Sequence, residues 1–576
     1  SVGAASFYAW RYGGVELNGD EQQSDPTPTP PLATIEVPVV VDPPQARVAI
    51  NGVVLAIENG RGAYQAMPDE LLKIEADYGS DWRPFEKIYS TADLEGTVNI
   101  ALQRTAESWE SLAYERLGDN QFAEAVDALA NAIKGDKSFA AVPKPDYEKR
   151  LPGEIQSLRA NRDGSEIVAG TSEGVVQRWK LDGDDVKLAA RIELADADIE
   201  SLVVSDSWMT VIGGDRRRVL LSSADETVEW GISNMPEGTQ VKEIAIVDGG
   251  KRLVAATELF EFLPGESDKR NVTLISWALH RPTATDAYAT HLSLDGDSEP
   301  VLAAARRGAW VVLSTYSTSD KAYHVRKHLL ENGGAQELHR QRAEIVAIAV
   351  SLDDQLIAIG GGKTTDNEGV ADCRATLIHA GDLSSAELDI GHEDVISSIA
   401  IDAAGRHVVT AGMDGAAIVW SLRSGWRPGQ VGQPLTRSLL QLPDQPFVES
   451  AVCLHSGWTA CLYANGAAAL WDSSAKTPTP LRLTAVQPQF LSAIATTPGG
   501  EWLITGDRSG RVRFWRTDRL RLIKNARDQA GVGEERSRTD DHVMRCGRFG
   551  RPTRRSPEAY AVTACDSGRR PTEATV

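Results

Sequence analysis

The sequence predicts a mainly β fold in which one unit of short strands and tight turns is repeated along most of the chain. Its 576 residues include 50 glycines and 14 tryptophans, a composition typical of many short strands joined by turns. Between Leu151 and about Asp518, apolar strands alternate with turns rich in Asp and Gly, and in most units one strand ends in Trp. The length also exceeds one ordinary core and indicates about two to four domains.

A fixed spacing between a turn and a tryptophan supports the repeat. In four segments a polar residue followed by Gly stands six positions before Trp: Asp414 before Trp420, Glu173 before Trp179, Asn465 before Trp471 and Ser509 before Trp515. The most complete copy spans 391–421 and starts with Gly391-His392. It resembles the WD-repeat family, with Ser421 where the family has Asp. The resemblance covers about 151–520 and implies a β-propeller, whose sheets stack around an axis and protect their edges.

The same resemblance implies a buried hydrogen-bonded network in the most complete copy. In the family a His before the blade, a Ser or Thr on the second strand, an Asp in the turn and a Trp on the third strand are linked. These positions correspond here to His392, Thr410, Asp414 and Trp420. A buried carboxylate is tolerated only when its oxygens are bonded. The alternative is a His–Asp–Thr catalytic site, which we disfavour because blade architecture accounts for the whole set.

Eight repeats are predicted, with seven as the alternative. About 370 residues divided by eight is closer to the usual WD-repeat length of about 40–45 residues than division by seven. The predicted units are 153–183, 199–230, 241–277, 300–330, 344–380, 395–423, 448–473 and 491–517.

The N-terminal part divides into three regions. Residues 1–32 comprise an aromatic segment, Phe7 to Tyr12, and a Pro-rich linker. The aromatic segment predicts either a juxtamembrane position in a longer protein or an ordinary buried element. Residues 33–105, with a hairpin turn at Asn51-Gly52, resemble a PEGA domain, which implies a small non-catalytic β-sandwich. Residues 106–138 have helical periodicity and resemble a single tetratricopeptide hairpin, which implies an adaptor that packs on another domain.

The C-terminal region 521–576 is predicted to begin with a short helix, similar to the one that closes many bacterial WD-repeat proteins. From about Gly531 the sequence lacks periodicity and strands, which predicts a disordered tail. A frame-shifted reading frame would also explain this tail.

Several classes of function are disfavoured. The formal charge of −21 argues against nucleic acid and anionic membranes as partners. The five cysteines have neither metal-ligand nor disulfide-framework spacing, so we expect buried thiols, no metal and no cofactor. The sequence Gly170-Thr-Ser172-Glu-Gly174 matches a hydrolase motif, and 360–365 resembles the end of a phosphate-binding loop. No helix is predicted after either segment, so we expect no catalytic residue.

The sequence therefore predicts a non-catalytic protein-binding scaffold. The resemblances suggest part of a larger membrane-tethered bacterial signalling protein, either cytoplasmic or extracytoplasmic. The alternative is a propeller enzyme with a hydrolase or lyase site at the channel mouth. Two enlarged loops, 258–270 and 363–372, are expected on the docking face. The candidate partner-binding residues, which could instead pack locally, are Arg216, Arg217, Arg218, Phe260, Phe262 and Leu263.

Overall fold

The structure is a computed structural model of the chain. It describes residues 34–531 except 95, 137–138, 140–142, 194–198, 205–207, 214–217, 224–226, 232–238, 262–268, 279–287, 292–299, 318, 363–372, 389–390, 424–427, 429–434, 443–445, 455–456, 476–477 and 484–489. The predicted N-terminal segment and linker (1–32) and the predicted tail (532–576) lie outside the described residues. Among the described helices, none combines the length and the apolar character needed to cross a bilayer.

Contacts divide the chain into two units, residues 1–119 with 134–139 and residues 120–133 with 140–576. Two sheets of the first unit bury one apolar core. Their orders are β4-β1-β7 and β3-β2-β5-β6. The strands are β1 (Ile35–Asp42), β2 (Arg47–Ile50), β3 (Val53–Val54), β4 (Arg61–Ala66), β5 (Leu71–Asp77), β6 (Phe85–Ser90) and β7 (Val98–Ala101).

Alternation of apolar and polar residues explains which face of each strand enters this core. In β5, Leu72, Ile74 and Ala76 are buried while the intervening side chains point outwards. The predicted hairpin at Asn51-Gly52 is present, with φ of 49° and 81° at the two turn positions. Positive φ at both positions is the geometry that favours Asn-Gly in a two-residue hairpin.

Two helices follow at the predicted place, α1 (Ala106–Gly118) and α2 (Phe122–Gly135). Thr105 caps the N-terminus of α1, because its Oγ1 accepts a hydrogen bond of 3.1 Å from the Ser108 amide. The predicted hairpin 106–138 does not form one unit, because α1 belongs to the first unit and most of α2 to the second.

Residues 147–516 form eight four-stranded antiparallel sheets among the described residues. The first of these strands in chain order, β8 (Tyr147–Arg150), pairs with the last, β39 (Arg511–Arg516), and so belongs to sheet 8. Sheet 1 contains β9 (Ile155–Ala160), β10 (Glu166–Thr171), β11 (Val175–Asp182) and β12 (Asp185–Glu193); sheet 2 contains β13 (Ile199–Val204), β14 (Trp208–Gly213), β15 (Arg218–Ser223) and β16 (Thr227–Gly231); sheet 3 contains β17 (Thr239–Val247), β18 (Arg252–Glu261), β19 (Lys269–Ala278) and β20 (Tyr288–His291); sheet 4 contains β21 (Val301–Ala304), β22 (Trp310–Ser317), β23 (Ala322–Leu329) and β24 (Gly334–Gln341).

The remaining sheets have the same order of strands. Sheet 5 contains β25 (Glu344–Val350), β26 (Leu356–Gly362), β27 (Thr376–His379) and β28 (Ser385–Glu387); sheet 6 contains β29 (Ile396–Ile401), β30 (His407–Gly412), β31 (Ala416–Leu422) and β32 (Leu435–Gln441); sheet 7 contains β33 (Val448–Cys453), β34 (Trp458–Tyr463), β35 (Ala468–Asp472) and β36 (Pro480–Arg482); sheet 8 contains β37 (Leu491–Thr496), β38 (Trp502–Asp507), β39 (Arg511–Arg516) and β8. Helix α3 (Thr517–Ala530) follows, starting four residues before the predicted boundary at 521.

The first strands of successive sheets contact one another in order, and β37 of sheet 8 contacts β9 of sheet 1, which closes a ring. The predicted start of this ring at residue 151 is too late, because β8 already pairs with β39. The segment Tyr147–Arg150 contains neither the turn nor the tryptophan of the repeat, so the pattern does not identify it.

Glycines on second strands allow the first strand of the next sheet to approach closely. A Cβ on Gly170 would lie 2.3 Å from Ile199 Cγ2, and a Cβ on Gly506 would lie 2.4 Å from Ile155 Cγ2. Gly360 has the same relation to Ile396 and Ile399. The interiors of proteins are close-packed, so these contacts leave no room for even one methyl group.

A β-bulge recurs within the first four residues of the first strand in seven of the eight described sheets. The bulged residues are Gln156, Glu200, Lys242, Val346, Ser397, Glu449 and Ser492. Two of them link neighbouring sheets: Ser397 Oγ donates to Val448 O at 2.5 Å, and Ser492 Oγ donates to Ile155 O at 2.6 Å. In sheets 6 and 8 the bulge thus directs a serine side chain at the backbone of the next sheet.

We predict that Gly506→Ala lowers the free energy of unfolding by about 1–3 kcal/mol, because the new methyl group overlaps Ile155 at the junction of sheets 8 and 1. Urea denaturation measures the change. The control is Gly118→Ala in α1, where nothing lies within 4 Å of the added Cβ and helix propensity favours alanine. Equal stability of Gly506→Ala and the wild type would contradict the close-packing argument.

Candidate functional site

The four residues of the predicted network lie together in sheet 6. Thr410 is on β30, Asp414 is in the following turn, and Trp420 is on β31. His392 precedes β29; its Nδ1 lies 3.0 Å from Asp414 Oδ2 and its Nε2 lies 2.9 Å from Thr410 Oγ1. Trp420 Nε1 donates to the same Oγ1 at 3.4 Å. The four side chains therefore form one continuous chain of hydrogen bonds.

Asp414 is the centre of this network because its carboxylate also accepts from the backbone. The amides of Glu393 and Ala416 donate to it at 2.9 and 3.0 Å. Burial alone would raise the pKa of Asp414, but the hydrogen bond and charge of His392, with the two amides, hold the pKa below its ordinary value. The carboxylate thus ties the segment before β29 to the turn between β30 and β31.

Sheet 8 holds a different polar network, which the sequence reasoning missed. Trp515 Nε1 donates to Thr505 Oγ1 at 3.0 Å, as in sheet 6. In the absence of a histidine, Arg513 Nη1 donates to the buried Asp507 at 3.0 Å, and its Nε donates to Glu148 on β8 at 2.7 Å. This arginine therefore joins the turn of sheet 8 to the strand that completes the sheet. An Arg two positions before the repeat Trp is the signal that could have indicated it.

The segment 170–174, which matches a hydrolase motif, includes a turn. Ser172 Oγ accepts from the Glu154 amide at 2.9 Å in the connection between β10 and β11. A strand follows it, whereas the nucleophile of the hydrolase motif precedes a helix. In the phosphate-loop candidate, Gly360 and Gly361 lie in β26, and 363–365 lie outside the described residues.

Three cysteines are buried free thiols, Cys373, Cys453 and Cys461. Burial raises the pKa of Cys461 to about 12. A thiol with such a pKa is not ionised at neutral pH and is a poor nucleophile.

Most of the predicted partner-binding residues lie outside the described residues. They are Arg216, Arg217, Phe262 and Leu263. The backbone of Arg218 lies in β15 and that of Phe260 in β18, opposite Arg270. The second enlarged loop, 363–372, also lies outside the described residues.

The predicted loop 258–270 is shorter than expected. Strands β18 and β19 continue their antiparallel pairing as far as Glu261 and Lys269, which leaves 262–268 as the connection. Leu259 and Phe260 favour this extension, since large apolar residues are common in strands. Phe260 is thus a strand residue, and its assignment to a loop was wrong.

Comparisons with known proteins identify the repeat. The family model for the WD domain, G-beta repeat (WD40) matches residues 385–421 and 484–516. The first match contains all four network residues, and the second contains most of sheet 8. Together with the repeated four-stranded antiparallel sheets, these matches confirm the predicted fold class, a mainly β chain with a WD-type β-propeller.

Two solved structures are similar to the chain. A chain of the "Crystal Structure of Mitotic Checkpoint Complex" is 14% identical, with a TM-score of 0.38, covering 66% of this chain and 97% of that chain. The β-propeller domain of Myceliophteria thermophila Cps50 (Swd1) is 14% identical, with a TM-score of 0.40, covering 65% and 99% respectively. Comparison of the sequence with curated proteins gave no match.

We predict that Asp414→Ala lowers the free energy of unfolding by about 2–4 kcal/mol, since the change leaves His392 and two amides without their acceptor. Chemical denaturation measures this loss. Asp472→Ala is the matched control, because the Asp472 carboxylate accepts only from the adjacent Ser474 among the described contacts. A loss at Asp414 no larger than that at Asp472 would show that the network does not stabilise the sheet.

We also predict a pH dependence from the depressed pKa of Asp414. Stabilisation by this group is complete above the ordinary Asp pKa of about 3.9 and is lost as pH falls through the lower folded value. Denaturation curves between pH 6 and about pH 3 should therefore show a smaller acid-induced loss for Asp414→Asn than for the wild type. Parallel pH profiles would contradict this assignment.

Proposed function

We propose that the chain is a non-catalytic protein-binding scaffold, with the propeller as its rigid platform. The observation that carries this proposal is the structural role of His392, Asp414 and Thr410, whose side chains hold parts of sheet 6 together. Each of these side chains is bonded to another part of sheet 6, and the side chain of His392 is only 1% exposed. A substrate therefore cannot reach the histidine of this set.

We infer that each four-stranded sheet of the ring is one blade, which gives eight blades. The eight sheets share one strand order, so all connections between second and third strands emerge on the same face. The strand ends that flank 214–217 in sheet 2 and 262–268 in sheet 3 thus belong to neighbouring sheets and lie on that face. This arrangement supports the proposal that Arg216, Arg217 and Phe262 contribute to one partner surface.

The setting of the scaffold is also proposed, from resemblance. The PEGA-like hairpin at Asn51-Gly52 and the helix pair α1 and α2 fit a non-catalytic portion of a larger bacterial signalling protein tethered to a membrane. Helix α2 supports an adaptor role, because Phe122 lies under the guanidinium of Arg521 from α3, and Asp127 accepts from Gln529 at 2.6 Å.

The partner surface is tested by affinity capture with the full chain, quantified by mass spectrometry. We expect that the double substitution Phe260→Ser and Phe262→Ser reduces capture of the main partner about tenfold or more, as removal of an aromatic hot spot does. The melting temperature should stay within about 2 °C of the wild type.

The matched control is Leu439→Ser, which removes an exposed apolar side chain from β32 on the outer side of the ring. Capture should be unchanged by it. Unchanged capture by the double variant, or its unfolding, would place the surface elsewhere. Turnover of hydrolase or lyase substrates by the wild type would instead favour the enzyme alternative.

A further inference from the structure

Strand β6 (Phe85–Ser90) is an outer strand of the sheet β3-β2-β5-β6 in the first unit. Its pairing with β5 is continuous over its whole length and contains no bulge. The strand contains neither Pro nor Gly. Bulges, prolines and extreme shortness are devices that keep sheet edges from pairing, and β6 has none of them.

The hydrogen-bond pattern shows which backbone groups of β6 point away from the sheet. The Thr91 amide donates to Glu70 O at 3.0 Å, which continues the register of β6 with β5 by one residue. In an antiparallel pair, residues that exchange hydrogen bonds alternate with residues that do not. The residues of β6 whose backbone groups bond β5 are therefore Phe85, Lys87 and Tyr89. Those whose N–H and C=O groups point outwards are Glu86, Ile88 and Ser90. Among the described residues, no backbone group outside the sheet bonds these outward groups.

Exposed apolar side chains lie beside these outward backbone groups. Ile88 is 62% exposed, and Leu71 on β5 is 65% exposed. Ile88 lies opposite Lys73, two residues from Leu71, so the two apolar side chains are diagonal neighbours on the outer face of the sheet. An exposed isoleucine on a regular edge strand favours pairing with a further strand.

The charges of β6 disfavour two of the registers in which a second copy of the strand could pair antiparallel to it. Outward backbone groups pair with outward backbone groups, so Ile88 lies opposite residue 86, 88 or 90 of the second copy. With Ile88 opposite Glu86, the two Lys87 side chains lie directly opposite each other, which is unfavourable for like charges. With Ile88 opposite Ser90, Glu86 extends beyond the end of the second strand.

The register with Ile88 opposite Ile88 has no such conflict. It places Glu86 opposite Ser90 and Lys87 opposite Tyr89. Lys87 Nζ lies 4.5 Å from the centre of the Tyr89 ring within one copy, so this cation is already compatible with that ring. Glu86 forms a salt bridge of 3.1 Å with Lys73, which compensates its charge at the edge. The charges of β6 therefore specify this register.

We propose that two copies of the chain associate through antiparallel pairing of their β6 strands, with Ile88 opposite Ile88 on the two-fold axis. The outward N–H and C=O groups of each strand then bond those of the other, and the two exposed Ile88 side chains contact each other. A contact made by one short strand is a small interface, so we expect a reversible dimer with a Kd on the order of 1–100 µM.

Sedimentation velocity of the full chain between about 1 and 200 µM tests the dimer around its expected Kd. Ile88→Lys should weaken association about tenfold or more, because it removes the apolar contact and places two like charges opposite each other. The matched control is Leu71→Lys, the same chemical type of change on the same face with similar exposure, but on β5. It should change the Kd less than about threefold.

A mixture of two variants tests the register. Ile88→Glu alone should lose association as Ile88→Lys does, and it replaces that variant if Ile88→Lys does not fold. Mixing the Lys and Glu variants should restore a dimer of about wild-type affinity, because opposite charges then lie opposite each other at position 88. Melting temperatures check that each variant is folded.

Three results would overturn the proposal. A wild type that stays monomeric at about 200 µM would leave this edge to a strand of a different protein. Equal losses in Ile88→Lys and Leu71→Lys would indicate repulsion or an interface through the face of the sheet. Failure of the mixed variants to associate would show that position 88 does not lie opposite itself.

Discussion

The pairing of β8 with β39 is the interaction on which the ring depends. Every other sheet of the propeller is built from consecutive strands, whereas sheet 8 takes its outer strand from the other end of the unit. The salt bridge of Arg513 with Glu148 reinforces this pairing, and the amide of Asp146 extends it by donating to Phe514 O at 2.8 Å. An incomplete sheet 8 would expose β39 as an unpaired edge.

The neighbouring junction between sheets 8 and 1 adds two further kinds of contact. Ser492 bonds to the carbonyl of Ile155, and Gly506 admits the side chain of the same residue. Across this junction Trp179 packs edge-on against Phe514, with ring centroids 5.3 Å apart. The Trp179 indole N–H has no hydrogen-bond partner among the described residues, so this repeat tryptophan acts through apolar packing. The same position in sheet 6 acts through its N–H, which shows that one sequence signature serves two kinds of stabilisation.

The fold was largely predictable, because turn glycines and strand tryptophans recur at fixed spacing and local chemistry specifies them. The network of His392 and Asp414 was implied by the resemblance to the WD-repeat family. The role of β8 could not be predicted, since pairing between residues 365 apart leaves no local pattern in Tyr147–Arg150.

The origin of β8 also bears on how the chain is made. A ribosome releases Tyr147–Arg150 long before it synthesises Arg511, the first partner of this strand in β39. During that interval the segment is a strand without a sheet, which is the kind of segment that pairs wrongly with other chains. Three of its four residues, Glu148, Lys149 and Arg150, are charged and stay exposed in the finished ring. Such charges discourage association between strand edges, so this short segment is protected against aggregation until its own partner emerges.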